Sequence, residues 1–152
     1  MTVPSTLFCA SDAPPRVVLD TNAVLDWLVF RHPSCVHWAD RLESRSVRWL
    51  TSTAMRDELR HVLARGVAAA WTPDPRALWA TWDRHATAVE PLPLAGPATR
   101  MRCTDPDDQK FIDLALAHGA RWLVSRDKAV LKLGRRVRPL GLQVVTPEDW
   151  VV

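Results

Sequence analysis

The sequence lacks the features of a membrane protein, a secreted disulfide scaffold or a zinc site. No apolar run approaches the roughly 20 residues that a membrane-spanning helix needs. Residues 1–15 show no basic stretch followed by an apolar one, so we expect no signal peptide. The three cysteines are odd in number and no two have CxxC spacing. We therefore expect reduced thiols, no membrane association and a cytoplasmic protein.

Lysine is also scarce. Three of the 20 basic residues are lysine and 17 are arginine, with a formal net charge of +3 and a pI of about 9.1. Arginine binds phosphate through two parallel hydrogen bonds, so the bias suits a nucleic-acid partner. A GC-rich genome would favour arginine codons as well, and the bias alone therefore does not identify the partner.

The length and the order of apolar patterns indicate one α/β domain. Residues 1–15 are polar and contain proline, so we predict a flexible N-terminal extension followed by a single domain over residues 16–152. Short β-branched runs alternate with helical stripes, a pattern that predicts a mostly parallel central sheet. Strands are predicted at residues 16–19, 47–50, 122–125 and 142–145, with an edge strand at 89–94. Helices are predicted after a cap at Thr21 and Asn22, from Pro33, from Thr51 or Ser52 to Arg65, from Pro75 to His85, from Thr104 to Gly119, over 130–133 and from Thr146.

Four acidic residues stand at the edges of these elements. Asp20 ends the first strand, Glu58 lies in a helical stretch, Asp108 opens a helix, and Asp127 follows a buried strand. The carboxyl ends of parallel strands converge on one crevice of an α/β sheet. Carboxylates gathered there repel one another unless a hard cation such as Mg²⁺ or Mn²⁺ neutralises them. The pattern therefore predicts a metal-dependent nuclease.

Each acid taken alone also has a simpler interpretation. Asp20 and Asp127 suit helix N-caps, and Glu58 suits a solvated helix face. The segment Asp105-Pro106-Asp107-Asp108 suits a helix N-terminus through the helix dipole. These interpretations do not explain why acids recur beside the strand ends.

Taken in order, these motifs resemble the PIN-domain ribonucleases, in particular the VapC-like toxins of toxin–antitoxin systems. The resemblance spans residues 16 to about 133, most of the chain. It is carried by Val18-Leu19-Asp20-Thr21-Asn22, Thr51-Ser52, Glu58-Leu59, Val62-Leu63, Asp105-Pro106-Asp107-Asp108-Gln109-Lys110-Phe111, Ala115, Gly119 and Leu123-Val124-Ser125-Arg126-Asp127.

The resemblance implies a three-layer α/β/α fold that hydrolyses phosphodiester bonds in single-stranded RNA with Mg²⁺ or Mn²⁺. It implies that Asp20, Glu58, Asp108 and Asp127 are the catalytic metal ligands, with Asp105 as a further ligand. An antitoxin on a separate chain and a homodimer are also implied. Either Asp108 or Glu58 is a candidate general base.

Three further positions follow from the resemblance. Asn22 and Ser52 match polar positions near the family's site, where they would hold water or orient Asp20. Arg126 replaces the small residue that usually precedes the last acid, which raises the question of access to the metal.

A basic cluster after the last acid is the candidate RNA-binding rim. Its members are Arg126, Lys128, Lys132, Arg135, Arg136 and Arg138. A polyanion would need such charges beside an acidic site, although the same cluster also suits a solvated loop. Trp71, Trp79 and Trp82 suit base stacking, an antitoxin interface or a core.

Two other functions fit parts of this pattern. A PIN fold that has lost activity would serve as an RNA- or protein-binding module, but it would have no need of four clustered carboxylates. A receiver-like signalling domain would want an acidic pair at the first strand end, and Leu19 precedes Asp20 there. We therefore favour the nuclease.

Overall fold

A computed structural model describes residues 13–152, and its centre is a sheet of five strands that all run parallel. The strand order is β3-β2-β1-β4-β5. The strands are β1 (Arg16–Leu19), β2 (Arg48–Thr51), β3 (Ala86–Ala88), β4 (Trp122–Val124) and β5 (Gln143–Val145). The predicted three-layer α/β/α fold with a mostly parallel sheet is confirmed.

Helices connect the strands. They are α1 (Thr21–Leu28), α2 (Val36–Glu43), α3 (Thr53–Ala64), α4 (Pro75–His85), α5 (Gln109–Ala117), α6 (Lys128–Leu131) and α7 (Gly134–Val137). Short 3₁₀ turns occupy Pro33–Cys35, Ala69–Trp71, Gly96–Arg100, Pro106–Asp108 and Arg138–Leu140. None of the described helices is long and apolar enough to cross a bilayer. Cys35 and Cys103 are free thiols.

The two central strands place the ends of β1 and β4 side by side. Val18 pairs with Leu123 and Leu19 with Val124, and all four side chains are buried. Strands covered on both faces favour continuous apolar runs, as these two have. The ladder continues past β1, where the Asp20 amide donates to the Val124 carbonyl at 3.0 Å. The residues that follow β1 and β4 therefore meet at one edge of the sheet.

Two predicted boundaries were wrong. The edge strand is Ala86–Ala88, pairing with β2, and not residues 89–94. Pro91 and Pro93 lack the amide that a strand ladder needs. Helix α1 is not capped by Thr21 or Asn22 but by Asp20, whose side chain accepts from the Ala23 amide, as the simpler interpretation of Asp20 predicted.

The predicted C-terminal helix from Thr146 is also absent from the described residues. The amides of Asp149 and Trp150 both donate to the Thr146 carbonyl, which forms a turn. The turn carries Trp150 into the core, where its side chain is 0% exposed. The predicted extension over residues 1–15 lies mostly outside the described residues. Pro15, at its end, accepts a hydrogen bond from the Arg48 amide.

Tryptophan side chains fill much of the core on one side of the sheet. Trp38 on α2 packs against Trp27 and Trp150 with ring centroids 6.1 and 5.1 Å apart. Trp150 also packs against Trp122 of β4 at 5.5 Å. The indole nitrogen of Trp38 donates to the Pro147 carbonyl at 3.1 Å. These contacts fix the C-terminal turn to α2 and β4, because each aromatic pair adds to the free energy gained by burying its area.

We expect Trp150→Ala to lower the free energy of unfolding by about 3–5 kcal/mol, because it leaves a large cavity between α2 and β4. The matched control is Trp71→Ala, since Trp71 is 58% exposed. That variant should lose less than about 1 kcal/mol. Guanidinium denaturation followed by circular dichroism measures both. An equal loss in the two variants would show that Trp150 does not anchor the C-terminal segment.

Candidate metal centre

Asp20 is held at the end of β1 by two hydrogen bonds. One carboxylate oxygen accepts from the Ala23 amide at 2.9 Å, and the other accepts from the Ser125 hydroxyl at 2.5 Å. The side chain is 3% exposed. Burial raises the pKa of Asp20 from 3.8 to about 6, although both hydrogen bonds lower it. Asp20 is therefore a helix cap and a candidate site acid at the same time.

Ser125 connects Asp20 to Asp127. Its hydroxyl, fully buried after β4, donates to Asp20 and accepts from the Asp127 amide at 2.9 Å. The Asp127 carboxylate in turn accepts from the Ala129 amide at 2.8 Å and caps α6. The two acids at neighbouring strand ends are thus fixed by one hydroxyl and two helix N-termini.

Asp127 of this pair also belongs to a group of three carboxylates. Asp105, Asp108 and Asp127 each offer an oxygen, and these atoms lie within 4.8 Å of one another. The turn Pro106–Asp108 brings Asp105 and Asp108 together, since the Asp105 side chain accepts from the Asp107 amide at 3.0 Å. Burial, with the neighbouring carboxylate of Asp127 next in effect, raises the pKa of Asp108 to about 7.

This group has the chemistry of a site for a hard divalent cation. Oδ2 of Asp108 is buried and has no hydrogen-bond partner. A buried polar oxygen without a partner is costly, and a bound cation would remove that cost. Carboxylate oxygens are the ligands that Mg²⁺ and Mn²⁺ prefer. The residues present therefore fit such an ion, with Asp20 beside the group.

Glu58 lies apart from this group. One of its oxygens accepts from the Lys110 ammonium at 2.5 Å, and the other accepts from the Thr21 hydroxyl. Among the described residues, the three-acid group contains Asp105 but not Glu58. The predicted quartet is therefore divided: Asp108 and Asp127 lie in the group with Asp105, whereas Asp20 and Glu58 lie outside it, and Glu58 is in an ion pair.

All of these acids except Asp127 line one cleft of about 660 Å³. The lining also includes Thr21, Asn22, Asp57, His61, Arg65, Lys110 and Phe111. The prediction that Asn22 lies at the site is consistent with its place in this wall. Ser52 instead caps α3, accepting from the Met55 amide at 3.4 Å. The hydroxyl that contacts Asp20 is that of Ser125, so the role predicted for Ser52 stays a prediction.

The predicted RNA-binding residues occupy different environments. Arg126 donates to Asp26 and Glu148, both at 2.6 Å, and to the Ser34 hydroxyl at 3.0 Å. Its predicted contact with RNA is not supported, because its guanidinium is committed to two carboxylates. Lys128, Arg135 and Arg136 are exposed, and Arg136 donates to the Arg100 carbonyl at 3.1 Å.

Two arginines of α3, the helix that carries Glu58, pair with other carboxylates. Arg56 stacks on Trp79 at 4.5 Å and pairs with Asp83 at 2.6 Å. Arg60 pairs with Asp57 at 2.9 Å. Among the described residues, the basic side chains that line the cleft are those of Arg65 and Lys110, and His61 lines it as well.

Sequence reasoning missed Ser125 and Lys110. A signal for Ser125 was present, because a small hydroxyl residue two positions before Asp127 faces the same side of an extended chain. A signal for Lys110 was its place as a single lysine two positions after the last of three acids. Neither signal shows which distant carboxylate the side chain would reach.

Known proteins include relatives of this architecture. A family model described as "PIN domain" matches residues 16–129. A search of curated proteins found no match. Among solved structures, the crystal structure of VapBC2 from Rickettsia felis bound to a DNA fragment from their promoter contains a similar chain, with a TM-score of 0.51. That match has 12% sequence identity and covers 86% of this chain and 98% of the other, which shows a shared fold. Because the family model covers most of the sequence, this chain belongs to the PIN-domain family.

Proposed function

We propose that this protein is a divalent-metal-dependent endoribonuclease that hydrolyses phosphodiester bonds in single-stranded RNA. The observation that carries the proposal is the buried, unpartnered oxygen of Asp108 inside a group of three carboxylates. That arrangement is costly to a folded protein and is relieved by a cation. Membership of the PIN-domain family supports the assignment to a nuclease.

The metal ligands in this proposal are Asp108, Asp127, Asp105 and Asp20, holding Mg²⁺ or Mn²⁺. Such an ion, when bound, lowers the pKa of a coordinated water and offsets the charge of the phosphate under attack. Ser125 orients Asp20, and the N-terminus of α6 orients Asp127. These fixed contacts reduce the reorganisation that ligand binding would otherwise cost.

We propose that RNA enters through the cleft lined by Arg65 and Lys110. Lys128, Arg135 and Arg136, on the two short helices after Asp127, would extend the rim. Their exposed charges would attract the phosphate backbone and offset the repulsion from the acids.

We further propose that the protein is the toxin of a toxin–antitoxin pair, with an antitoxin on a separate chain. The fold similarity to a chain of VapBC2 supports this role. Exposed apolar side chains also suit a protein partner: Val67 and Trp71 are each 58% exposed, and Phe30 packs against Trp71 at 5.1 Å. A homodimer and a cytoplasmic location belong to the same proposal.

The first test is RNA cleavage by the purified protein with Mn²⁺, with Mg²⁺ and with EDTA. Cleavage should require the metal, and Asp20→Asn should lower the rate at least about 100-fold. Asparagine keeps the oxygen that caps α1, so the fold should survive the change. The measurement is the initial rate of cleavage of end-labelled single-stranded RNA.

The matched control is Asp83→Asn, an exposed carboxylate outside the cleft lining, which should cleave like the wild-type protein. If Asp20→Asn unfolds, Asp20 is chiefly a structural cap. If the folded wild-type protein cleaves no RNA with any metal, the binding-module alternative becomes the better interpretation.

The metal-free protein should lose stability as the pH rises. The pKa of Asp20 and the pKa of Asp108 both lie above 3.8, so the folded chain binds more protons than the unfolded chain between about pH 4 and 7. Their contribution to stability is full below pH 4 and is lost as the pH passes 6 and 7. Asp20 contributes about 3 kcal/mol of this change in the free energy of unfolding, which corresponds to the rise of its pKa from 3.8 to about 6.

Guanidinium denaturation in EDTA at several pH values measures this loss. Asp20→Asn should gain stability relative to the wild type between pH 4 and 8, and Mn²⁺ should restore wild-type stability at pH 8. Asp83→Asn serves as the control. A difference between wild type and Asp20→Asn that does not change with pH would contradict the prediction.

Reversing two charges on α7 should weaken RNA binding. We expect Arg135→Glu with Arg136→Glu to make the plot of the logarithm of the binding constant against the logarithm of the salt concentration less steep. The slope should fall in magnitude by about 1.4, the value for two phosphate contacts on a single strand. The control is Arg48→Glu with Arg84→Glu, which makes the same change in net charge far from the ends of β1 and β4. Fluorescence anisotropy in the presence of EDTA measures binding without cleavage. An unchanged slope would exclude α7 from the rim.

A further inference from the structure

Lys110 places a fixed positive charge inside the acidic cleft. Its ammonium lies 2.5 Å from Oε1 of Glu58 and 2.5 Å from the Asp107 carbonyl. The side chains of Lys110 and Glu58 are each only 26% exposed. Partial burial strengthens such a charge-assisted hydrogen bond relative to one in open solvent. Lys110 is thus a built part of the cleft wall.

Glu58 differs from the clustered acids because a cation already neutralises it. Lys110 occupies one oxygen and the Thr21 hydroxyl occupies the other. The glutamate also lies outside the group of carboxylate oxygens formed by Asp105, Asp108 and Asp127. Asp105, Asp108 and Asp127 therefore form a set of acids that face one another, whereas Glu58 is already paired with the basic side chain of Lys110.

This division bears on how many metal ions the cleft holds. Nucleases with two ions place them roughly 3.5–4 Å apart, and each ion needs its own carboxylate oxygens. An ion at Glu58 would have to displace the ammonium, and it would leave Lys110 partly buried without a counter-charge. The three clustered carboxylates face no such competition.

We propose that the cleft binds a single divalent cation at Asp105, Asp108 and Asp127, with Asp20 beside them, and that the Lys110 ammonium takes the place of a second cation at Glu58. The inference rests on the proposed function. Lys110 is a positioning residue in this scheme, because it fixes Glu58 and sets the number of ions that the cleft accepts.

The test counts Mn²⁺ ions bound per chain, by isothermal titration calorimetry and by electron paramagnetic resonance of the free ion. The wild-type protein should bind one ion. Lys110→Met should bind two, because methionine keeps the apolar stem but leaves Glu58 open. Lys110→Arg, which keeps the charge, should bind one.

The double variant Lys110→Met with Glu58→Gln removes both members of the pair without changing the net charge. It should bind one ion with an affinity within about threefold of the wild type, whereas loss of a true ligand costs at least about tenfold. This comparison does not depend on the folding of Lys110→Met alone, and Asp108→Asn provides the positive control for ligand loss.

Two ions in the wild type, or a tenfold loss of affinity in the double variant, would overturn the inference while leaving the nuclease proposal intact. One ion in Lys110→Met, with the protein folded by circular dichroism, would also overturn it. No bound Mn²⁺ in the wild type at millimolar concentration would overturn the metal-dependent function and this inference together.

Discussion

The hydrogen bond between Ser125 and Asp20 is the interaction on which the site depends. It joins the residues that follow the two central strands, which the parallel register of β1 and β4 has already placed side by side. The same hydroxyl accepts from the Asp127 amide, so one buried serine sets the positions of two acids. A slip of one residue in either strand would turn these side chains to the other face of the sheet. The apolar runs that fix the register therefore also fix the site.

Some acids of the protein are paired with basic side chains, and the clustered acids that are candidate metal ligands face one another instead. Arg126 neutralises Asp26 and Glu148, Arg56 neutralises Asp83, and Lys110 neutralises Glu58. Asp105, Asp108 and Asp127 instead face one another, and burial leaves an oxygen of Asp108 without any partner. Such an arrangement lowers the stability of the metal-free protein. Proteins retain unfavourable local arrangements where function requires them. The unneutralised acids are thus the best guide to the site.

Local sequence patterns predicted the sheet, its parallel connections and the acids at its edge, because strand and helix periodicity are properties of neighbouring residues. They did not predict the contacts between distant residues. Ser52 and Ser125 both follow buried strands, yet Ser52 caps α3 and only Ser125 reaches Asp20. Lys110 and Glu58 are 52 positions apart, and their pairing depends on how α3 and α5 pack. The sequence therefore predicted that acids gather at this edge of the sheet, but it could not predict which distant side chain each of them contacts.

The arginine that stands in place of a small residue before Asp127 illustrates the same limit. On sequence alone, a bulky cation at that position raises the question of whether it blocks the metal. The chain after β4 is extended at Asp127, so alternate side chains point to opposite sides, and Ser125 and Asp127 share a side that Arg126 does not. Arg126 reaches Asp26, Ser34 and Glu148, none of which lines the cleft. The substitution thus ties α1 and the C-terminal turn to the loop that carries Asp127, and Arg126 itself does not line the cleft.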